Sequence, residues 1–320
     1  MRIPRRAALL AACLISSTGL AQQPYPARPI SLIVPLEAGA STDVFARVLS
    51  KAFGERNHSP FIVQNRTGAS GVVGATACAK AKPDGYTICM LPRDLVAIVP
   101  FQETLQYDPV KDLDPVSQLL WLANIMVSHP SLPFDNFKGL VDYAKRNPGK
   151  LNYTGFGTGQ AIMQWVMNQT GADLTFVPFR SASAAMPAFM AGEIHLIYLS
   201  LSSLGGMAAQ IKSGKMKALA MPDRNPLLPG VPSFADLGLA KFGFRSWIGV
   251  FAPAGSPKDA IARLSAELAA IVRNPEFHNV SMIPVGFDPV GNTPEEFAKF
   301  IADDSKDGAV LAKLVGSRLQ

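Results

Sequence analysis

From Tyr25 onward, short runs of consecutive apolar residues alternate with longer stretches in which apolar residues recur every three or four positions. The first pattern predicts strands buried on both faces and the second amphipathic helices, so the chain reads as βα units stacked around mainly parallel sheets. Residues 30–36 predict a buried strand. Gly39-Ala40-Ser41-Thr42-Asp43 follows as a loop, and Val44, Phe45, Val48, Leu49 and Ala52 then repeat at helical spacing, with Ser41 to Asp43 supplying N-cap chemistry. The same grammar predicts a strand at 61–63, a loop through Gly68 to Gly71, an alanine-rich helix to about residue 80, and a turn at Pro83-Asp84-Gly85-Tyr86 into a strand at 87–91.

The second half repeats it. A strand is expected at 124–128, a helix at 135–146 and a strand at 151–154, after which Gly155-Phe156-Gly157-Thr158-Gly159 opens a helix whose Ala161, Ile162, Trp165 and Val166 share a face. Further strands are expected at 174–179, 194–200 and 216–221. A polar, proline-rich stretch at 222–232 precedes a strand-like run at 246–252, an amphipathic helix at 258–273 and two terminal α segments. The break at 222–245 predicts a crossing between two domains, which a length of 320 residues accommodates.

The N-terminus departs from this grammar. Arg2, Arg5 and Arg6 precede an apolar stretch that ends in Gly19-Leu20-Ala21, the basic, apolar and small-residue succession of an export signal, with the mature chain starting at Gln22. Leu10-Ala11-Ala12-Cys13 is a competing lipid-attachment pattern with a short apolar run before it. Export changes the charge balance: 27 of the 30 basic residues remain against 24 acidic ones, a net +3. With no Lys/Arg cluster, nucleic acid is excluded as a partner. Of the three cysteines, Cys78 and Cys89 survive cleavage; an oxidising compartment permits a bridge, although a helix position and a strand position meet by chance more often than by design.

Candidate chemistry is sparse. There is no G-x-S-x-G elbow, H-E-x-x-H or P-loop, and His58, His129, His195 and His278 are far apart. Gly155 to Gly159 departs from the dinucleotide fingerprint. What recurs is a Gly/Ser/Thr loop at a helix N-terminus: Gly39 to Asp43, Gly68 to Gly71, Gly155 to Gly159, and Ser181 to Ser183 after Arg180. Exposed backbone N–H groups and the positive helix end suit carboxylate binding without catalysis, and no cofactor is expected.

Tyr25-Pro26-Ala27-Arg28-Pro29-Ile30, Gln64-Asn65-Arg66-Thr67-Gly68-Ala69, Lys82-Pro83-Asp84-Gly85-Tyr86-Thr87, Tyr107-Asp108-Pro109-Val110-Lys111-Asp112, Val177-Pro178-Phe179-Arg180 and Trp247-Ile248-Gly249-Val250-Phe251-Ala252-Pro253 resemble the substrate-binding receptors of tripartite tricarboxylate transporters, the Bug receptors. The resemblance implies a periplasmic, two-domain α/β Venus flytrap of the periplasmic-binding-protein fold, each domain a mainly parallel sheet flanked by helices. Domain 1 would comprise 22–119 plus 243–320 and domain 2 would comprise 120–242. Such a protein closes as a monomer on a small carboxylate and delivers it to membrane permease subunits, without turnover. Carried over, the ligand-binding positions are Gly39, Ala40, Ser41, Thr42, Asp43, Thr154, Gly155, Gly157, Thr158, Phe179, Arg180 and Ser181. Arg93 and Asp94 join them at the carboxyl edge of the strand ending at Leu91, where the family usually carries small hydroxyl residues; Arg93 would take a carboxylate and Asp94 an amine. Glu37, Ala40, Thr67 and Ser181 also depart from the family pattern, the loop at 155–160 is short and lacks a following His, and 194–204 lacks an acidic residue, so the second domain's pocket is expected to be altered. An exported co-sensor for a signalling system and a nucleotide-using α/β enzyme remain as alternatives.

Overall fold

A computed structural model describes residues 25–101, 104–156, 158–203, 207–239 and 245–316. The leader, the cleavage point before Gln22, Gly157 and the expected boundary at 242/243 lie outside the described residues. The chain lays down β1 (Ile30–Val34), α1 (Ser41–Asn57), β2 (Phe61–Asn65), α2 (Val72–Ala79), β3 (Thr87–Pro92), α3 (Arg93–Ala97) and β4 (Leu113–Leu122). It crosses at Ala123 into β5 (Asn124–Ser128), α4 (Phe137–Arg146), β6 (Leu151–Gly155), α5 (Thr158–Thr170), β7 (Leu174–Phe176), α6 (Ala182–Met190), β8 (Leu196–Ser200), α7 (Met207–Lys212) and β9 (Lys217–Ala220). It returns as β10 (Ser246–Pro253), α8 (Lys258–Val272), α9 (Pro275–Phe277), β11 (Phe287–Pro289) and α10 (Pro294–Gly316). Among the described residues no helix is long and apolar enough to cross a membrane.

Two sheets result, ordered β11-β4-β10-β3-β1-β2 and β7-β6-β8-β5-β9. The βα units give each a parallel part, β2-β1-β3 and β7-β6-β8, as the periodicity predicts. The other pairings are antiparallel, so the sheets are mixed. The cause is where the chain crosses. β10 enters opposite the end of β3, with Ile248 facing Pro92, and β5 enters opposite the end of β8, with Asn124 facing Ser200. Both strands therefore start at a carboxyl rim and run back against their neighbours. A crossing of one residue, Ala123, joins the two rims and holds them near each other.

Each sheet is covered on both faces. Ile30, Leu32 and Val34 of β1 pack with Phe45, Leu49 and Phe53 of α1 and Leu264 and Leu268 of α8, whereas Ile33 joins the opposite cluster with Cys78, Trp247 and Phe297. In the second lobe Tyr153, Ile162 and Trp165 lie in one cluster and Val127, Phe189 and Ile197 in the other. Burial on both faces explains why the strands read as unbroken apolar runs. Cys78 of α2 and Cys89 of β3 are joined by a disulfide, with Cα atoms 5.9 Å apart. The strand β4 was not expected, because Pro115, Ser117 and Gln118 interrupt its apolar run; Ser117 and Gln118 instead bond Asn292 at 2.7 and 2.8 Å.

Candidate functional site

Adjacent parallel strands deliver their following residues to one rim. Thus β1 and β3 present Glu37, Ser41 and Asp94, and β6, β7 and β8 present Thr158, Arg180 and Ser202 from the other sheet. Among the described residues, three contacts join the rims. Ser41 Oγ lies 2.8 Å from Ser202 Oγ and 3.4 Å from Ser203 Oγ. The Asp94 carboxylate accepts the backbone N–H of Thr158, the first residue of α5. Arg180 Nε stands 4.0 Å from Glu37 Oε1, with the Arg180 side chain largely exposed.

In the first lobe, Gly39 takes a left-handed conformation, φ +84°, that other residues adopt only with strain. Ala40 is the N-cap of α1 and has no side-chain cap. The N-cap role expected of Ser41 to Asp43 is not taken up, since α1 has no side-chain cap; Asp43 Oδ2 instead accepts the N–H of Gly39, ahead of the helix, at 3.0 Å. Asp43 also receives Arg47 and Asn65. Burial raises its pKa, and these hydrogen bonds more than offset that, holding the carboxyl below its ordinary value. Asp43 thereby braces the loop, and Thr42 is buried beneath it. Ser41 is the side chain that reaches across.

In the second lobe the expected positions have structural partners. A Cβ at Gly155 would stand 2.8 Å from the carbonyl carbon of Gly159, and one at Gly159 would stand 3.0 Å from Tyr198 of β8, so these glycines serve the close approach of α5 to β6 and β8. Thr154 is fully buried. The Thr158 hydroxyl lies 2.8 Å from Ser246 Oγ, which accepts Asn124 Nδ2 at 2.8 Å. Ser181 caps α6 by accepting the Ala184 N–H at 3.3 Å, and half-buried Phe179 packs into the lobe core.

Arg93 and Asp94, expected to act as a pair, are separated by the fold. Arg93 is buried with its Nε 3.0 and 2.8 Å from the two carboxylate oxygens of Asp304 in α10, and Trp247 Nε1 donates to the same carboxylate at 2.9 Å. The expected reading of a ligand carboxylate by Arg93 is replaced by this ion pair within the first lobe. Asp94 stays at the rim. Burial pushes its pKa up to about 6, with Asp304 adding to the rise and Arg93 and the Thr158 N–H opposing it. Its Oδ1 is buried and makes no hydrogen bond. Sequence reasoning missed Ser202 and Ser203, although a hydroxyl run directly after β8 satisfies the same strand-end rule that singled out Asp94.

Comparison with known proteins agrees with this architecture. Residues 45–316 match the family described as Tripartite tricarboxylate transporter family receptor. The chain is 30% identical over 303 residues to protein BugT of Bordetella pertussis, covering 92% of each. It is 30% identical over 288 residues to a UPF0065 protein of Pseudomonas sp. strain P51, covering 88% of this chain and 84% of that one. Among solved structures, a periplasmic transporter superposes with a TM-score of 0.83 at 34% identity, over 90% of this chain and 97% of its own. An R. palustris protein solved with adipate superposes with a TM-score of 0.85 at 26% identity, over 91% and 98%.

Proposed function

Since the chain belongs to the tripartite tricarboxylate transporter receptor family, we propose that it is an exported receptor that closes on a small organic acid between its two sheets and hands it to the membrane permease of such a transporter. The lobes are taken to part at Ala123 and ahead of Ser246, close to the 119/120 and 242/243 divisions expected from sequence. The observation that supports this reading most is the facing of two carboxyl rims that bring the first turns of α1 and α5 to one cleft, with the Ser41 and Ser202 hydroxyls as uncharged donors. Helix N-termini and hydroxyls hold a carboxylate without a metal or a catalytic group. The adipate-bound relative supports the ligand class. Binding without turnover follows from such a site, and an extracytoplasmic location agrees with the Cys78–Cys89 bridge.

The test is thermal unfolding of the protein from Gln22 onward against mono-, di- and tricarboxylates. A ligand present at about 100 times its Kd stabilises by about 2.7 kcal/mol. No shift with any organic acid would overturn the reading.

A further inference from the structure

We propose that Asp94 turns the second lobe's end of the cleft from a place for an anion into a place for a hydrogen-bond donor, so that the receptor selects acids with one carboxylate and a distal ammonium or hydroxyl group over dicarboxylates. This rests on the receptor reading above. The N-terminus of α5, a helix of 13 residues, would ordinarily offer free N–H groups and a positive dipole end to a ligand anion. Here the Thr158 N–H is taken by a carboxylate of the chain itself. A ligand carboxylate brought to the same spot meets like charge where water is excluded, and that repulsion is strong at short range.

Asp94 also lacks something only a donor supplies. Its Oδ1 is buried without a hydrogen bond, and buried carboxylate oxygens left in that state are costly. The charges facing it are Arg93, its neighbour in α3, and Asp304 of α10, which oppose one another in their effect on it. Arg93 is bound to Asp304 through Nε, so the two largely answer each other inside the first lobe. Burial then leaves Asp94 easier to protonate than a free carboxyl, the direction expected of a group whose charge awaits a donor. The opposite end of the cleft keeps the helix-terminal loop of α1 for the single carboxylate.

Isothermal titration with probes matched in length tests this: succinate against 4-aminobutyrate and adipate against 6-aminohexanoate, for wild type, Asp94→Ser and the near-isosteric Asp94→Asn. The expected result is at least tenfold tighter binding of the amino acid in the wild type, and a ratio moved at least tenfold toward the diacid in both variants. A wild-type preference for the diacid overturns the proposal. So does a ratio unchanged in both variants while binding persists, which would make Asp94 a bond between lobes only and leave the receptor reading standing. If no mono-, di-, hydroxy- or amino acid binds any of the three proteins, the receptor reading falls and this proposal with it.

Discussion

Arg93 and Asp94 are consecutive residues with opposite consequences for folding. Arg93 is almost fully buried yet matched by Asp304, and Trp247 satisfies a further lone pair of that carboxylate. Asp94 has the Thr158 N–H and an orphaned Oδ1. Its pKa is raised from 3.8 to about 6, so the fold binds its proton more tightly than the unfolded chain does. The stability linked to this group is complete below pH 4, where both states are protonated. It is lost between pH 4 and 6, as the unfolded chain ionises before the folded one, and the loss is constant above. Asp94→Asn, which keeps an acceptor for Thr158, should therefore be more stable than wild type by roughly 1–3 kcal/mol at pH 7.5, with the gain vanishing near pH 3.5. Urea unfolding at the two pH values measures it. Equal stability at pH 7.5 would mean that the carboxylate is well satisfied. A residue kept at a cost in stability is what a binding role predicts.

At the scale of elements, α10 shows how one helix face serves both core and rim. Phe297, Ile301, Asp304, Gly308 and Leu311 recur at helical spacing and all are buried. The Phe297 ring occupies the space over Gly249, where a Cβ would stand 2.3 Å from Cζ. One turn beyond Asp304, Gly308 lies so close to α3 that a Cβ would stand 1.6 Å from the Ala97 carbonyl oxygen. Gly308→Ala gains up to about 1 kcal/mol in helix propensity, but it pushes α10 off α3, an overpacking strain that costs about 1–3 kcal/mol or more. The net expectation is a lowered urea midpoint, and an unchanged or raised one would show that α10 yields without loss. Such a face is hard to read in a sequence, because a charge and a glycine interrupt its apolar stripe. The strands β1, β3, β5 and β10 were legible because burial on both faces leaves unbroken apolar runs, whereas β4 was hidden by Pro115, Ser117 and Gln118. The rim loops were legible too, since glycines and hydroxyls follow strand ends. Their partners were not: Ser41 meets Ser202 across 161 positions and Arg93 meets Asp304 across 211, and no local pattern encodes contacts at that distance.

For the whole molecule, the question is how firmly the lobes are held together. A small apolar cluster of Ile98, Ala161, Leu311 and Ala312 joins α5 of the second lobe to α10 and to the residue after α3 in the first. At the chain crossing, Arg245 pairs with Asp223 beyond β9 at 3.3 Å and with Asp288 of β11 at 2.9 Å, its guanidinium over the Trp121 ring. These form a pivot. Across the cleft itself the contacts among the described residues are modest: a hydroxyl pair is worth about 0.5–1.5 kcal/mol, an exposed ion pair such as Arg180–Glu37 about 0–1, and the Asp94 carboxylate on the Thr158 N–H about 1.5–3. Their sum is no larger than the free energy a modest ligand supplies, so a ligand is able to decide the balance between open and closed states. Combining Ser41→Ala with Arg180→Ala should therefore open the ligand-free protein while leaving its unfolding midpoint nearly unchanged. Small-angle scattering would report this as an increased radius of gyration, reversed by a saturating ligand. Because only the closed population binds with both rims, apparent affinity should fall by up to about tenfold for each 1.4 kcal/mol removed. If the radius of gyration responds neither to the substitutions nor to ligand, the pivot among α3, α5 and α10 fixes the lobes rigidly, and closure on a ligand is not how this protein works.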